Sequence, residues 1–436
     1  MHLPWEILTS SGYSALFRLQ DSTQNDNSYS PTCPADMPLT CSNHTAIEDT
    51  CCFEHPGGIL LQTQFWDYVP PRGGQYPQWN DDLEKHLGPN ESFTNHGLWP
   101  DNCDATYEQF CDRSSMIDDV HNLLNSEDFN SGSLQVSGKD LLRKMEKYWK
   151  SNTGDDEALW IHEFNKHGTC IKTIKPKCYE RWNDKPTKSD VSYSKRGVYD
   201  YFRIAMSLFE KKDTFQALKD YGIEPSVDRT YSRDEISKAL SEFHGKHVLF
   251  KCDRNRALNE VWYYNLLRGS LLGEEFEAID AVRAFSNCPE TGVHFYPKGF
   301  NPHKGAPPDK DKNSIIGTVH IGGRPGFIIR NGRWMTVGTP ATFRLIPAPF
   351  GNYYLRSRSG FCGPEEQSGK LVCNKGASTA PQFEYDAKKG VLGYSGQSDW
   401  HASEMPHGRQ QTLVYLGKSS SPADIDLKLK FVPKHR

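Results

Sequence analysis

The sequence lacks any run of about 18 apolar residues, the length that a membrane-spanning helix requires. Hydrophobic residues account for 36% of the 436 positions, and the mean hydropathy is -0.70. We therefore predict a loop-rich protein without a membrane span. At this length two domains are the natural expectation, because a single hydrophobic core rarely grows past roughly 250 to 300 residues.

Cysteine pairs with the Cys-x-x-Cys spacing of zinc ribbons are also absent. The 12 cysteines form an even set at scattered spacings, and this distribution favours disulfides. Disulfides form in oxidising compartments. Two acceptor sequons, at Asn43 and Asn90, fit the same route. We therefore expect a glycoprotein of the secretory pathway that is located in the vacuole or lysosome, or outside the cell.

The first 30 residues do not contain the continuous apolar segment of a signal peptide, because Glu6, Arg18 and several hydroxyl side chains interrupt it. We expect residues 1–32 to be an N-terminal segment that is either a targeting segment or disordered. The cysteine pattern carries more weight for the compartment than this segment does.

The chain also has little net charge, -4 at pH 7, which does not suit binding to a polyanion. Its 16 histidines can change this balance. Protonating all of them, roughly one and a half units below their reference pKa of about 6.5, would bring the formal charge to about +12. We predict that an acidic compartment gives the protein a surface that attracts polyanions.

Two short segments carry the candidate chemistry: Phe93–Pro100 reads Phe-Thr-Asn-His-Gly-Leu-Trp-Pro, and Trp160–Cys170 reads Trp-Ile-His-Glu-Phe-Asn-Lys-His-Gly-Thr-Cys. Cleavage of a phosphodiester by a neighbouring hydroxyl needs a base, an acid and cations or donors around the phosphate. Histidine can take either proton role near neutral or mildly acidic pH. The candidate catalytic residues are His96, His162, Glu163, Lys166 and His167.

The second segment also approaches the zinc-protease motif His-Glu-x-x-His, but its spacing is His-Glu-x-x-x-His. At about 100° per residue, His162 and His167 would point roughly 140° apart on a helix, whereas a zinc-binding pair at i and i+4 lies about 40° apart. The better-aligned pairs are His162 with Lys166 and Glu163 with His167. We therefore predict no metal site and no cofactor, and a zinc hydrolase is the disfavoured alternative.

The two segments resemble the signature blocks of the ribonuclease T2 family. The resemblance extends through Leu60–Tyr68 and through Cys252–Gly269 with its Leu258–Trp262 run, and it covers roughly residues 33–296. Asn95 stands where the family usually has an apolar residue, and Phe164 where it usually has tryptophan. Neither departure removes a reactive group.

The resemblance implies a role for each catalytic candidate. His167 is expected to act as the general base for the 2′-hydroxyl and His96 as the general acid for the departing 5′-oxygen. His162 is expected to hold the phosphate. Glu163 and Lys166 are expected to stabilise the five-coordinate transition state, whose charge is best met by fixed donors and cations.

The implied activity is endonucleolytic cleavage of single-stranded RNA to 2′,3′-cyclic phosphates and then 3′-phosphates, with low base specificity and an acidic pH optimum. Trp99, Asp101 and Tyr107 match positions that bind the base on the 5′ side of the cut. Gln64 is assigned to the second base site. A rival class is an RNA- or glycan-binding protein on an inactive scaffold, which the intact catalytic set disfavours.

The resemblance also implies five disulfide pairs, which spacing alone could not select. These pairs are Cys33 with Cys52, Cys41 with Cys103, Cys51 with Cys178, Cys111 with Cys170, and Cys252 with Cys288. The two remaining cysteines, Cys362 and Cys373, are expected to close one local bridge.

Residues 33–296 show both helical and strand patterns. Apolar side chains recur at helical spacing over residues 139–150 and 197–212. Ser232 and Glu235 have the spacing of a capping box. Residues 59–66, 247–252 and 260–267 are typical of strands. The fold class expected is α+β, with an antiparallel sheet and packed helices.

Residues 297–314 have the composition of a linker, and residues 315–436 consist of short strand patterns. Asn331-Gly332 predicts a type I′ hairpin. We expect a small all-β C-terminal domain, either a barrel or a sandwich, similar to the extension of some fungal members of the family. All catalytic candidates precede it.

The C-terminal domain interleaves basic with aromatic residues, a combination that can bind RNA or glycans. A protein partner is a further possibility for this domain, and we expect the chain to be a monomer. The residues concerned are Arg330, Arg333, Arg344, Arg356, Arg358, Trp334, Phe343, Tyr353 and Tyr354.

Overall fold

The computed structural model describes residues 33–42, 49–70, 80–130, 134, 136–182, 193–282, 286–302, 314–348, 351–365, 368–376 and 380–434. The predicted N-terminal segment 1–32, the sequon residue Asn43 and residues 303–313 of the predicted linker lie outside them. Within the described ranges, no helix is both long enough and apolar enough to cross a membrane.

The first domain contains both helices and strands, as the sequence patterns predict. Its helices are α1 (Asp81–Leu87), α2 (Val120–Asn125), α3 (Gly138–Tyr148), α4 (Asp156–Lys166), α5 (Pro176–Trp182), α6 (Tyr193–Glu210), α7 (Thr214–Lys219) and α8 (Arg233–His244). Its strands are β1 (Ile59–Phe65), β2 (Thr94–Asp101), β3 (Thr230–Tyr231), β4 (Leu249–Cys252), β5 (Leu258–Arg268), β6 (Glu275–Ile279) and β7 (Val293–His294).

The main sheet is antiparallel with the order β2-β1-β5-β4, and β6 pairs with β5. This arrangement confirms the expected α+β class. All seven residues of β1 are buried, so both faces of the sheet are covered at its centre. Polar side chains in such a strand need partners inside the protein. Gln62 Nε2 donates to Asn95 Oδ1 at 3.0 Å, which explains how the polar Asn95 is accommodated on the adjacent strand.

The ends of helices α8 and α3 lie close to the positions that the sequence predicts. Ser232 caps α8, and the capping box with Glu235 is formed in full. Helix α3 starts after its cap Ser137 and ends at Tyr148, two residues before the predicted end. The apolar faces of α3, α4 and α6 meet in one core, where Trp149, Trp160 and Phe202 are fully buried.

The cysteines form six disulfides. Five connect the pairs that the family resemblance implies, and the sixth joins Cys362 to Cys373 in the C-terminal domain. Asn90, the described sequon residue, is exposed in the turn between Pro89 and Ser92.

Residues 297–302, which the sequence composition assigns to the linker, pack on the first domain instead. The side chain of Lys298 is buried and donates to the backbone oxygens of Leu87, Pro89 and Ser92 at 2.6, 2.9 and 2.8 Å. Its ammonium also lies 4.8 Å from the ring centre of Trp66. Three carbonyl acceptors and an aromatic face offset the cost of burying the charge.

The C-terminal domain, for which the sequence allowed either a barrel or a sandwich, is a β-barrel. Six strands close into a cycle in which β8 pairs with β11, β11 with β12, β12 with β15, β15 with β16, β16 with β20, and β20 with β8. The strands of this domain are β8 (Ile315–Ile321), β9 (Phe327–Ile328), β10 (Trp334–Met335), β11 (Phe343–Pro347), β12 (Tyr353–Ser357), β13 (Gly360–Pro364), β14 (Leu371–Lys375), β15 (Gln382–Asp386), β16 (Val391–Tyr394), β17 (Trp400–Ala402), β18 (Tyr415–Leu416), β19 (Ile425–Leu427) and β20 (Leu429–Pro433).

Strands β9 and β10 form the predicted hairpin, but the predicted turn type is wrong. Positive φ occurs at Gly332 (92°) and not at Asn331, whereas a type I′ turn needs it at both. The amide of Gly332 donates to Ile329 O at 2.9 Å, and the amide of Ile329 donates to Arg333 O at 2.9 Å. These bonds define a three-residue loop in which a glycine bulge follows a type I turn.

The mixed basic and aromatic surface expected on this domain forms only in part. Trp334 and Phe343 are fully buried in the barrel core, while Tyr353 and Tyr354 are half-buried. The five arginines of the predicted surface are exposed: Arg330, Arg333, Arg344, Arg356 and Arg358.

Candidate active site

His96 lies in strand β2 and is buried, with 3% of its surface exposed. Its imidazole stacks on the ring of Phe65 from β1, with the ring centres 3.8 Å apart. The backbone oxygen of His96 accepts from Nε1 of Trp149 at 2.9 Å. Packing and hydrogen bonding therefore fix both the ring and the backbone of this residue.

Two carboxylates face the two ring nitrogens of His96. Nδ1 lies 2.7 Å from Oε1 of Glu260, and Nε2 lies 3.5 Å from Oε1 of Glu163. Burial by itself would lower the pKa of His96, but the two carboxylates outweigh burial and raise this pKa to about 9. Burial would raise the pKa of Glu260, but the hydrogen bond to His96 and its charge hold that pKa below its usual value.

Glu163 comes from helix α4, which Asp155 caps at its N-terminus. The Oε2 atom of Glu163 accepts from Nε1 of Trp99 at 2.7 Å. A Cβ atom at Gly97 would lie 2.2 Å from this oxygen, so the glycine permits the carboxylate to approach strand β2. Glu163 of helix α4 thus contacts His96 and Trp99 of strand β2.

His167 is the C-terminal cap of α4, because the helix ends at Lys166. Its amide donates to Glu163 O at 2.9 Å. The imidazole is buried and stacks on Trp99 with ring centres 4.9 Å apart and an angle of 18° between the planes. Trp99 also meets His96 edge-on at 4.8 Å, so its indole lies beside both histidines.

Lys166 is buried, with 6% of its surface exposed. Its ammonium donates to Oε1 of Gln382, in strand β15 of the C-terminal barrel, at 2.7 Å. Burial lowers the pKa of Lys166, and surrounding carboxylates that include Glu163 and Glu384 oppose this shift.

His162 lies on α4 and is half-buried, with its ring centre 6.1 Å from that of Phe110. Burial lowers its pKa well below the usual value, and the charges of Lys166 and His96 add to the effect. The pKa values of His162 and His96 are therefore shifted in opposite directions.

A cavity of about 540 Å³ opens beside these residues. Among the described residues, its lining includes His96, Lys166 and His167 but neither His162 nor Glu163. The buried residues Asp101 and Tyr107 line it together with Trp99. The cavity is lined by His96, Trp99, Asp101, Tyr107, Lys166, His167, Lys251, Glu260, Trp262, Gly351, Asn352, Tyr353, Glu384, Tyr385 and Asp386.

Gln64 lies apart from this group. It lines a separate cavity of about 200 Å³ together with Phe93, Tyr148 and Lys212. Its amide donates to Gln62 Oε1 and Lys212 O at 3.0 and 2.9 Å, and its oxygen accepts from Thr214 Oγ1 at 2.6 Å.

Several residues of the site were not predicted from the sequence. Glu260 lies within the Leu258–Trp262 segment that resembles the family, but nothing in the segment indicates contact with His96. Lys251 and Trp262 also line the cavity, with the ammonium 3.5 Å from the indole ring centre. The largest unpredicted set belongs to the C-terminal barrel.

The imidazoles of His96 and His167 can protonate one oxygen and deprotonate another, and Lys166 can place a cation beside a phosphate. No group of three or more His, Cys, Asp or Glu side chains that could hold a metal ion occurs in the described part of the chain. Because two histidines and a lysine line one cavity, the arrangement suits acid–base chemistry on a phosphodiester.

Comparison with known proteins adds independent findings. The model of the "Ribonuclease T2 family" matches residues 57–288, and that of the "RNase T2-like C-terminal domain" matches residues 309–430. A protein named "Ribonuclease T2-like" from Kluyveromyces lactis is 55% identical over 92% of this chain and 92% of its own length. A protein of the same name from Saccharomyces cerevisiae is 47% identical over 93% of this chain and 95% of its own length.

Among solved structures, the T2 ribonuclease Actibind is similar to this chain with a TM-score of 0.49 and 37% identity. The match covers 61% of this chain and 98% of Actibind.

Proposed function

Because the chain belongs to the ribonuclease T2 family and is an endoribonuclease, we propose that it cleaves single-stranded RNA by transesterification. The observation that carries this proposal is the shared cavity of His96, Lys166 and His167, in which two carboxylates contact His96 and raise its pKa to about 9. A proton donor, a second imidazole and a cation are what this reaction requires.

In the first step, His167 takes the proton from the 2′-hydroxyl as this oxygen bonds to phosphorus. The bond between phosphorus and the 5′-oxygen breaks, and His96 donates its proton to the departing oxygen. The products are a 2′,3′-cyclic phosphate and a free 5′-hydroxyl. The raised pKa of His96 supports its role as the acid, because the imidazole remains charged at acidic and neutral pH.

In the second step, the two histidines exchange roles. His96, now neutral, takes a proton from water, and the water oxygen bonds to the phosphorus of the cyclic ester. The bond to the 2′-oxygen breaks, and His167 returns its proton to that oxygen. A 3′-phosphate results, and both side chains regain their starting states.

Charge that develops on the phosphoryl oxygens is met by Lys166, which lines the cavity. Glu163 contributes from behind the cavity, since its carboxylate contacts His96 Nε2 and Trp99 Nε1. We assign His162 to phosphate binding, the role that the family resemblance implies.

Trp99, Asp101 and Tyr107 are assigned to the base on the 5′ side of the cut. The indole and phenol rings offer stacking surfaces, and the carboxylate accepts from an exocyclic amine. Gln64 is assigned to a second base site in its separate cavity with Phe93 and Tyr148. Low base specificity follows, because stacking on aromatic rings tolerates every base.

We further propose a monomer that works in an acidic vacuolar, lysosomal or extracellular compartment. The six disulfides and the exposed histidines, which include His55, His247 and His407, support this setting. Protonation of surface histidines increases attraction to RNA, so long RNA should be cleaved best at roughly pH 4 to 6.

Mass spectrometry of the products from matched dinucleotides tests the reaction type. A dinucleotide with ribose on the 5′ side should give a 2′,3′-cyclic phosphate that later becomes a 3′-phosphate. Replacing that ribose by 2′-deoxyribose should abolish cleavage, whereas the same replacement on the 3′ side should leave it intact. Cleavage of the dinucleotide that carries 2′-deoxyribose on its 5′ side would refute transesterification. A product with a 5′-phosphate would refute it as well.

A further inference from the structure

The C-terminal barrel borders the same cavity as the catalytic histidines. Residues 351–353 precede and begin strand β12, and residues 384–386 end strand β15; both groups line the cavity with His96 and His167. The sequence places every catalytic candidate before residue 297, but the cavity continues onto the second domain.

The barrel also makes a direct contact with a catalytic candidate. Oε1 of Gln382 accepts from Nζ of Lys166 at 2.7 Å, and the Gln382 side chain is fully buried. A hydrogen bond to a charged group in a buried setting is stronger than one in water. Gln382 therefore fixes the direction in which the ammonium points.

Two further contacts hold Tyr107, which belongs to the proposed base site. The amide of Tyr107 donates to Ser395 O at 2.9 Å, and its hydroxyl accepts from Nδ2 of Asn352 at 3.4 Å. Close by, Nε2 of Gln109 donates to Ser395 Oγ at 3.0 Å. The barrel thus fixes residues at two separate points of the cavity.

We propose that the C-terminal barrel is part of the active site: Gln382 positions Lys166, and residues 352–353 and 384–386 bind the nucleoside on the 5′ side of the cut. This inference rests on the proposed function, because it assumes that the cavity binds RNA. It adds a positioning residue and a substrate-binding surface that lie outside the first domain.

Charge indicates which part of the RNA meets the barrel. Glu384 and Asp386 bring carboxylates to the cavity, and carboxylates repel a phosphate. The phosphate is therefore bound on the side of the cavity that His96, His167 and Lys166 line, and the barrel side faces the nucleoside. Its carboxylates can accept hydrogen bonds from exocyclic amines or sugar hydroxyls.

The barrel surface is also ordered and aromatic. Gly396 donates its amide hydrogen to Oε1 of Glu384 at 3.0 Å, which orients this carboxylate. Tyr353 and Tyr385 meet edge-to-face with ring centres 6.0 Å apart. Aromatic rings beside hydrogen-bond acceptors are a common setting for a nucleobase.

Steady-state kinetics on a ribodinucleotide, with the full chain, test the role of Gln382. Gln382→Leu keeps the volume but removes the acceptor, and we expect kcat to fall about tenfold with little change in KM. Gln382→Glu restores an oxygen acceptor and should recover part of this loss. If the leucine variant does not fold, as judged by thermal unfolding, Gln382→Met makes the same comparison.

The binding surface is tested with Tyr385→Leu, which keeps an apolar side chain but removes the ring. We expect KM for the dinucleotide to rise about tenfold, because stacking of one base contributes about 1 to 3 kcal/mol. Arg409→Ala is the control, since Arg409 is exposed on the same barrel and does not line the cavity among the described residues. Its kcat and KM should equal those of the wild type.

Wild-type kcat and KM in both the Gln382→Leu and Tyr385→Leu variants would overturn the inference. If His96→Ala is inactive in the same assay, the proposed function survives that result. Full activity of His96→Ala would instead refute the proposed function itself.

Discussion

The Nδ1 atom of His96 lies 2.7 Å from Oε1 of Glu260, a residue 164 positions further along the chain. Strands β2 and β5 flank the central strand β1 on opposite sides, and this topology brings the two side chains together. The contact helps to keep a buried imidazole charged, which is the state that a general acid needs.

Glu260→Gln should lower the pKa of His96, because it replaces a negative partner by a neutral one. Activity that depends on protonated His96 should then be lost at lower pH, so the alkaline limb of kcat/KM for a dinucleotide should shift towards acid. The wild-type limb is expected near the His96 pKa of about 9. An unchanged alkaline limb in the variant would show that Glu260 does not raise the pKa of His96.

Long RNA and a dinucleotide should differ in their pH profiles. The alkaline limb of the dinucleotide follows His96, whereas binding of long RNA also weakens as surface histidines lose their charge, from roughly pH 6.5 upwards. Added salt at acidic pH should depress cleavage of long RNA more strongly. Equal pH profiles and equal salt sensitivity for the two substrates would contradict the role of surface charge.

His96 should also link stability to pH. Its pKa is about 9 in the folded protein and about 6.5 in an unfolded chain. The stabilisation is therefore complete below about pH 6.5 and is lost as pH rises through about 9. Denaturant unfolding should show a larger gap between wild type and His96→Asn at about pH 6 than at about pH 9.5. A gap that is constant with pH would mean that His96 has no raised pKa.

Gly97→Ala should impair catalysis, because the added Cβ would lie 2.2 Å from Oε2 of Glu163 and displace this carboxylate from Trp99 and His96. Gly273→Ala is the control, since its Cβ meets nothing within 4 Å and its φ is not positive. We expect a large loss of kcat for the first variant and none for the second. Equal activity of both would show that the Glu163 carboxylate can move without consequence.

Cleavage should not depend on a metal ion. The His162 and His167 side chains lie in a spacing that does not favour zinc, and the proposed steps use only protein side chains. Activity on a dinucleotide should therefore survive EDTA. Loss on chelation with recovery on adding zinc would point to a metal hydrolase.

Local chemistry accounts for what the sequence predicted well. The capping box of α8 involves residues three apart, and the α+β class follows from apolar periodicity. One local expectation was wrong. The sequence placed Glu163 beside His167 on the assumption that one helix continues through both residues. The helix instead ends at Lys166, and Glu163 turns towards His96 and Trp99.

Contacts between distant segments account for what the sequence did not predict. Glu260 lies in strand β5, and only the sheet order brings it to His96. The contact of Gln382 with Lys166 depends on how the barrel docks on the first domain, which no local pattern of either segment encodes. The bulged turn at Gly332 likewise depends on the φ of one neighbour, Asn331.

The roles of His96 as acid and His167 as base are tested most directly with a leaving group that needs no proton. A ribonucleoside 3′-(p-nitrophenyl phosphate) releases a stable anion, so His96→Ala should cleave it at a rate close to that of the wild type. His167→Ala should remain impaired by about 10² to 10⁴, because the 2′-hydroxyl must still lose its proton. On a natural dinucleotide both variants should be impaired to that extent. Equal impairment of both variants on the activated ester would contradict the assignment.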